Sequence, residues 1–254
     1  GTLNFGSLLM PKKRRSWRAN LDKIIEEELT NCDFSPFDGI SYSFPVSDEI
    51  LGVVQIKTRL IISCEHYSEV STRFGLIHYE LSSALDLLYE HLFIDLGLGQ
   101  LEHNSAMQTE TASSKDIQHE IFKDTDLSKQ YSLIREIAQT LKNEAIPIVT
   151  ERFKKLACLN SYCEETNQKG VEYCAILALS GDAKTGAELA EQIHQNPRLF
   201  DQHCGVWQAV GPAFASWIST GNPSKSFEDA RNWVLNGAKE RREEVMLHGR
   251  QHEM

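Results

Sequence analysis

Apolar residues change their spacing several times along this chain, and each change marks an element. From Trp17 to Leu29, the residues Trp17, Leu21, Ile24, Ile25 and Leu29 recur at intervals of three and four, the stripe of an amphipathic helix that should end near Asn31. Pro36 and Asp38-Gly39 then signal a turn. Beyond it the period drops to two. Ile40, Tyr42 and Phe44 alternate with serines, and Pro45 marks a strand end or edge. Val54, Ile56, Thr58, Leu60, Ile62 and Cys64 share one face of a long strand whose other face carries Gln55, Lys57, Arg59 and Ser63, as in an antiparallel sheet that is packed on one side and wet on the other. A strand this long is expected to coil or bulge. A third strand, Arg73 to Tyr79, sets Phe74, Leu76 and His78 on one face.

The period then returns to that of a helix. Leu81 to Phe93 turns Leu85, Leu88 and Leu92 toward a core, with Ser82 or Ser83 as a candidate cap. Residues 95–125 are rich in Gly, Ser, Thr, Gln and Asn and poor in large apolar side chains, which predicts a flexible linker or an excursion and places a domain boundary there. After Asp124-Thr125-Asp126 a long helix carries Leu127, Tyr131, Ile134, Ala138 and Leu141, continued by Ala145, Val149, Phe153 and Leu156; Pro147 requires a kink or a break in it. A loop near 167–170 follows, then a small apolar helix from Val171 to Leu179. Gly181-Asp182 stops that helix and caps the next, Ala183 to His194, which Pro197 ends. Val206, Val210, Phe214 and Trp217 or Ile218 suggest one more helix, disturbed at Gly211-Pro212 and closed by Gly221-Asn222-Pro223. Ser226 with Asp229 resembles a capping box for the last helix, with Phe227, Ala230, Val234, Ala238 and Val245 inward and a dense charged run, Lys239 to Glu244, outward.

The elements together predict an α+β fold: a small three-stranded antiparallel sheet with helices at residues 11–94, the linker or excursion at 95–125, and a mostly helical domain at 126–254. Residues 1–10 carry no structural weight in this scheme, since Gly1 stands where a methionine would and Met10 offers a second start.

Composition leaves this picture intact and narrows the partners. With 254 residues, 41% of them hydrophobic and 24% charged, the chain has the makings of a packed protein. Its net charge of -10 opposes whole-surface binding of nucleic acid and favours a neutral or basic protein partner. The basic arm 11–18, PKKRRSWR, is offset at once by Asp22, Glu26, Glu27 and Glu28 and reads as a solvated lead into the first helix. No apolar run approaches the roughly 18 residues that span a bilayer, and the basic run follows rather than precedes the apolar N-terminal residues, so a cytoplasmic protein is expected.

Candidate chemistry is thin. There is no glycine-rich phosphate loop, no Gly-x-Ser-x-Gly and no His-Glu-x-x-His, and Gly97-Leu98-Gly99 follows a helix rather than a strand. Cys158, Cys163 and Cys174, with His203-Cys204, lack the paired spacing of zinc ligands and read as reduced core thiols, as do Cys32 and Cys64. Glu244, His248 and His252 share a face at the chain end, a solvated helix tail before a metal site. His66, His78 and Glu80, with Cys64 as nucleophile, are the acid-base candidates of an enzyme whose pocket would lie between the sheet and the helical half. Gln55, Lys57 and Arg59 offer a polar ligand surface or a plain wet face. No cofactor is expected, and no catalytic residue can be assigned.

The element order, with the segments Asn143-Glu144-Ala145-Ile146-Pro147 and Ala175 to Asp182, resembles an uncharacterised bacterial family known by a domain-of-unknown-function label, over roughly residues 17–195. The resemblance rests on that order and on the Ile-Pro and Leu-x-Gly-Asp signatures. It implies no catalytic residues, and some members of such families look like immunity or accessory proteins that bind another protein. The expectation is therefore a non-catalytic protein-binding role, with an enzyme as the alternative.

Overall fold

The computed structural model describes residues 17–39, 41–60, 67–85, 107–108, 119–167, 170–196, 215–216, 218–219 and 226–248. Helix α1 (Trp17–Asn31) forms on the expected stripe, with Leu21, Ile24, Ile25 and Leu29 buried. It ends in a Schellman turn, in which the Phe34 amide donates to the Leu29 carbonyl (3.1 Å) and the Asp33 amide to the Thr30 carbonyl (3.0 Å). Asp33 takes the left-handed position, φ 68°, that glycine usually fills.

Among the described residues six strands form one antiparallel sheet: β1 (Ser35–Pro36), β2 (Ser41–Pro45), β3 (Ile50–Leu60), β4 (Tyr67–His78), β5 (Met107–Gln108) and β6 (His119–Phe122). Strands β1 to β4 pair in chain order, and β5 and β6 both pair with β4, at Gly75-Leu76 and at Tyr67 to Val70. The sheet is thus larger than the three strands expected. Strands β1 and β5 are too short to display a period, and β6 buries Ile121 while Glu120 and Phe122 stay exposed, so polar composition masks it. The stretch 95–125 returns to the sheet at both places where it is described before residue 123. Register between β3 and β4 runs unbroken from Ile50↔His78 to Leu60↔Ser68, so this length of β3 has no bulge.

The first face of the sheet, with Tyr42, Phe44, Val54, Ile56, Phe74 and Leu76, lies in one continuous core with α1 and the helical half. The second face is wet only in part. Leu51, Val53 and Ile77 on it are buried, with Phe37 and Tyr79, under helix α8 (Phe227–His248). A strand that alternates apolar and polar residues from Val54 onward reads as one-sided, yet Leu51 and Val53 precede that alternation and face the other way.

Helix α2, described over 79–85, starts ahead of Ser82 and Ser83, which are buried inside it, past the N-cap position. Helix α3 (Leu127–Thr140) buries Ile134, Ile137 and Ala138 but leaves Leu127 at 59% exposure, outside the stripe expected of it. Asp126 occupies its N-cap position without a side-chain cap bond. Pro147 does not break the chain of turns. A π turn (Leu141–Ala145) carries α3 into α4 (Ile146–Arg152), with the Ile146 amide bonded to the Leu141 carbonyl five residues back. The wider turn shifts the ladder just before a residue that has no N–H to give.

Helices α5 (Leu156–Glu165), α6 (Val171–Leu179) and α7 (Ala183–Gln195) follow. Gly181, at φ 91°, closes α6 with the Asp182 amide on the Leu177 carbonyl (2.9 Å), and the Asp182 carboxylate accepts the Thr185 amide (3.2 Å) to open α7. The Asp229 amide donates to Ser226 Oγ (3.2 Å), the N-cap half of the expected capping box, while the Asp229 carboxylate accepts from the Ser226 hydroxyl (2.7 Å). The basic arm before Trp17, Ile40, the strand end at 61–64, the helix beyond residue 85 and most of the helix expected around Val206 to Trp217 lie outside the described residues. No helix among those described is long and apolar enough to cross a membrane.

Candidate functional site

Of the acid-base candidates, His78 and Glu80 are described, while Cys64 and His66 lie outside the described residues. His78 ends β4 on its buried face, and its side chain is only 1% exposed. There the β2–β3 turn meets the start of α5. The Val46 and Ser47 amides both donate to the Ile50 carbonyl (3.3 and 3.1 Å), which folds the turn tightly, and Ser47 Oγ donates to the Lys154 carbonyl (2.8 Å). This brings Glu49 beside His78. Glu49 Oε2 lies 3.4 Å from His78 Nε2 and accepts the Leu156 amide (3.2 Å) at the first residue of α5, a helix whose own N-cap, Lys155, supplies no side-chain bond. A carboxylate placed there also complements the helix dipole.

The other ring nitrogen is engaged as well. Nδ1 of His78 accepts the Leu81 amide (3.2 Å), so His78 itself caps α2, the role the sequence offers to Ser82 or Ser83. A backbone N–H can only donate, which leaves Nδ1 without a proton and places the proton of the neutral ring on Nε2, facing Glu49. Burial pushes the His78 pKa below its ordinary value, and the Glu49 carboxylate pulls it partly back. The Glu80 carboxyl is pushed up, first by burial and then by the charge of Glu49.

Chemically this cluster holds three segments together. A general base needs a ring nitrogen within reach of substrate, whereas both nitrogens of His78 are committed and the ring is sealed. The cluster therefore acts as a joint between the end of the sheet, α2 and α5.

The other candidates do not converge on it. Cys163 and Cys174 are buried, and burial pushes their thiols up to about 11 and about 12, so both are protonated near neutral pH. Cys158 is half-buried, and His203 and Cys204 lie outside the described residues. Glu244 is exposed, while the side chain of His248 and all of His252 are likewise outside them. Among the described residues no three His, Cys, Asp or Glu side chains gather as a metal ion requires. Gln55 Nε2 donates to Ser41 Oγ (2.5 Å) on the second sheet face. A surface hollow of about 590 Å³ lies between α7 and residues 215–219, lined by Ala187, Glu188, Glu191, Gln192, Ala215 and Ser219, and holds none of the acid-base candidates.

Sequence reasoning missed Glu49, the residue that ties His78 to α5. Its partners are 29 and 107 positions away, so no local spacing announces it. It missed also a set of contacts around α8. Arg241 Nε donates to Asp38 (2.9 Å), and Arg242 donates to the Gly39 carbonyl (3.1 Å) and to Glu26 (3.2 Å) while lying 5.4 Å from the centre of the Tyr42 ring. Compared with protein-family models, with curated proteins and with solved structures, the chain matches none.

Proposed function

We propose that this is a non-catalytic protein that works by binding a protein partner of neutral or basic character, in the manner of a bacterial immunity or accessory protein of the cytoplasm. The observation that carries this reading is the state of His78: the described histidine best placed for acid-base chemistry is sealed, with both nitrogens engaged, and serves as a structural joint. The net charge of -10 supports a basic partner over an acidic one. Affinity purification from the native host, with crosslinking before lysis, is expected to recover one stoichiometric protein partner, released by added salt. Recovery of no such partner, or a turnover activity that His78→Ala abolishes while the fold is retained, overturns the proposal.

A further inference from the structure

His78 makes two bonds of opposite polarity, and protonation acts on them in opposite senses. Nδ1 accepts the Leu81 amide (3.2 Å), a first-turn N–H of α2, while Nε2 faces the Glu49 carboxylate at 3.4 Å. The imidazolium ion carries a proton on both nitrogens. At Nδ1 that proton sets one N–H against another, and the cap on α2 is lost. On the other side of the ring a positive charge forms beside a carboxylate. The link to Glu49, and through it to the Leu156 amide at the start of α5, is thereby strengthened. Strand β4 is held by its ladder with β3 as far as Ile50↔His78, and the ring is only 1% exposed, so it cannot turn to water to avoid the clash. The first turn of α2 is the part that gives way. Charged residues on the segments around the ring are Asp48 and Glu49 in the β2–β3 turn, Glu80 in α2, and Lys154 and Lys155 ahead of α5. Asp48 and the two lysines are exposed, and among the described residues Glu49 is the one whose charge bears on the ring.

We propose that the His78 joint is a pH-operated latch: acid releases the first turn of α2 from the end of the sheet, while α5 stays tied there through Glu49. Because one ring makes both attachments, a single proton loosens the first and tightens the second. Burial places the change below pH 6.5, so the latch is closed at neutral pH. The surface that opening uncovers is apolar. Leu81, Ala84 and Leu85 are buried, and Leu81 and Leu85 belong to the core that joins the sheet to the helical half. Glu80 titrates nearby, its pKa raised above 4.5 by burial and by Glu49, but the Leu81 amide is bonded to His78 and not to that carboxyl.

NMR of the full chain, titrated from about pH 7.5 to about pH 4.5, reads both ends of the latch. At neutral pH the His78 ring nitrogens should show the tautomer with its proton on Nε2. As the ring takes up a second proton, protection of the Leu81 amide against exchange, corrected for its intrinsic rate, should fall roughly five-fold or more, the effect of losing one cap. Leu156 and the amides of β3 should keep their protection. A ring that stays neutral until the whole protein unfolds overturns the latch. So does a protonated ring with Leu81 still protected, or a loss of protection that spreads equally to Leu156 and β3. Variants separate the titrating groups. His78→Asn keeps an acceptor for the Leu81 amide at every pH and should abolish the response. Glu80→Gln should leave the response in place, and its disappearance there would assign it to Glu80 and sink the role of His78. Glu49→Gln removes the charge that favours the imidazolium and should move the response to lower pH; a response that stays where it was counts against the latch. If His78→Asn does not fold, the wild-type titration and the Glu49→Gln shift decide.

Discussion

A carboxylate with 3% of its side chain exposed needs a partner that stays charged, and Glu28 has one in Arg135, which donates to both carboxylate oxygens (3.0 and 3.1 Å). The two residues fix α1 against α3. Because the buried member is the carboxylate, the two ends of the pair are unequal: Arg135→Ala strands a charge, whereas Glu28→Leu leaves the guanidinium free to face water. Arg135→Ala should therefore lower the urea midpoint more than Glu28→Leu does, and the double variant Arg135→Ala/Glu28→Leu should recover most of that loss. Equal losses from the two single changes would count against this account. His78 sets a different condition, on pH. Its folded pKa lies below the unfolded 6.5, so the unfolded chain takes up the proton first. The stability from neutral His78 is then fully present above pH 6.5 and is lost as pH falls from there through the depressed folded value. Glu80, with its pKa raised above 4.5, works in the opposite sense at lower pH. Urea titrations between pH 7.5 and 5.5 should show wild-type stability falling with acid at no more than about 1.4 kcal/mol per pH unit, the limit for one proton. Most of that slope should vanish in His78→Gln, and a slope unchanged by the substitution would assign it to other groups.

Helix termini were the most legible elements because their signals are local. Gly181-Asp182 and Ser226 with Asp229 show their geometry in the residue types alone, since only a glycine sits without strain at φ 91° and only a short polar side chain reaches back to an amide three residues on. Pro147 announced a disturbance but not its form, because a π turn and a kink are alternatives that packing decides. The cap of α2 was illegible. Histidine is an uncommon N-cap, and only its burial against Glu49 fixes the ring so that Nδ1 meets the Leu81 amide. The crossing of α6 and α7 makes a sharper prediction. A Cβ on Gly186 would lie 2.8 Å from the Cys174 carbonyl oxygen and 3.1 Å from Ile218 Cγ2. Helix propensity alone favours Gly186→Ala by about 1 kcal/mol, but backbone has to move to admit the methyl, at a cost of about 2–3 kcal/mol. Chemical denaturation should find the variant less stable by roughly 1–2 kcal/mol, the difference of these opposed effects, and a stabilised variant would mean that the two helices separate easily.

At the scale of the whole molecule, the period-two alternation from Val54 revealed one packed face of the sheet and hid the other. Leu51 and Val53 sit before the alternation begins, and the apolar stripe of α8 (Phe227, Ala230, Val234 and Ala238) does not say which surface it will cover. The division of the chain at 95–125 came from composition, which says how little a segment can bury but not what lies on either side of it. One hydrophobic cluster contains Leu29 of α1, Leu76 of β4, Ile137 of α3, Leu159 of α5, Ile176 of α6 and Ile193 of α7. Residues from both proposed domains thus contribute to a single core, and residues that share a core are expected to lose it together. Leu76 and Leu159, both fully buried and on opposite sides of the proposed boundary, are matched probes. Truncating either to alanine should cost about 3 kcal/mol. If the sheet and the helical half unfold as one unit, Leu159→Ala speeds amide exchange in β3 by about two orders of magnitude, and Leu76→Ala does the same in α6, as a shared global opening requires. If residues 11–94 and 126–254 are instead separate domains, each substitution speeds exchange only on its own side. The two outcomes differ by about a hundred-fold in the half that was not mutated.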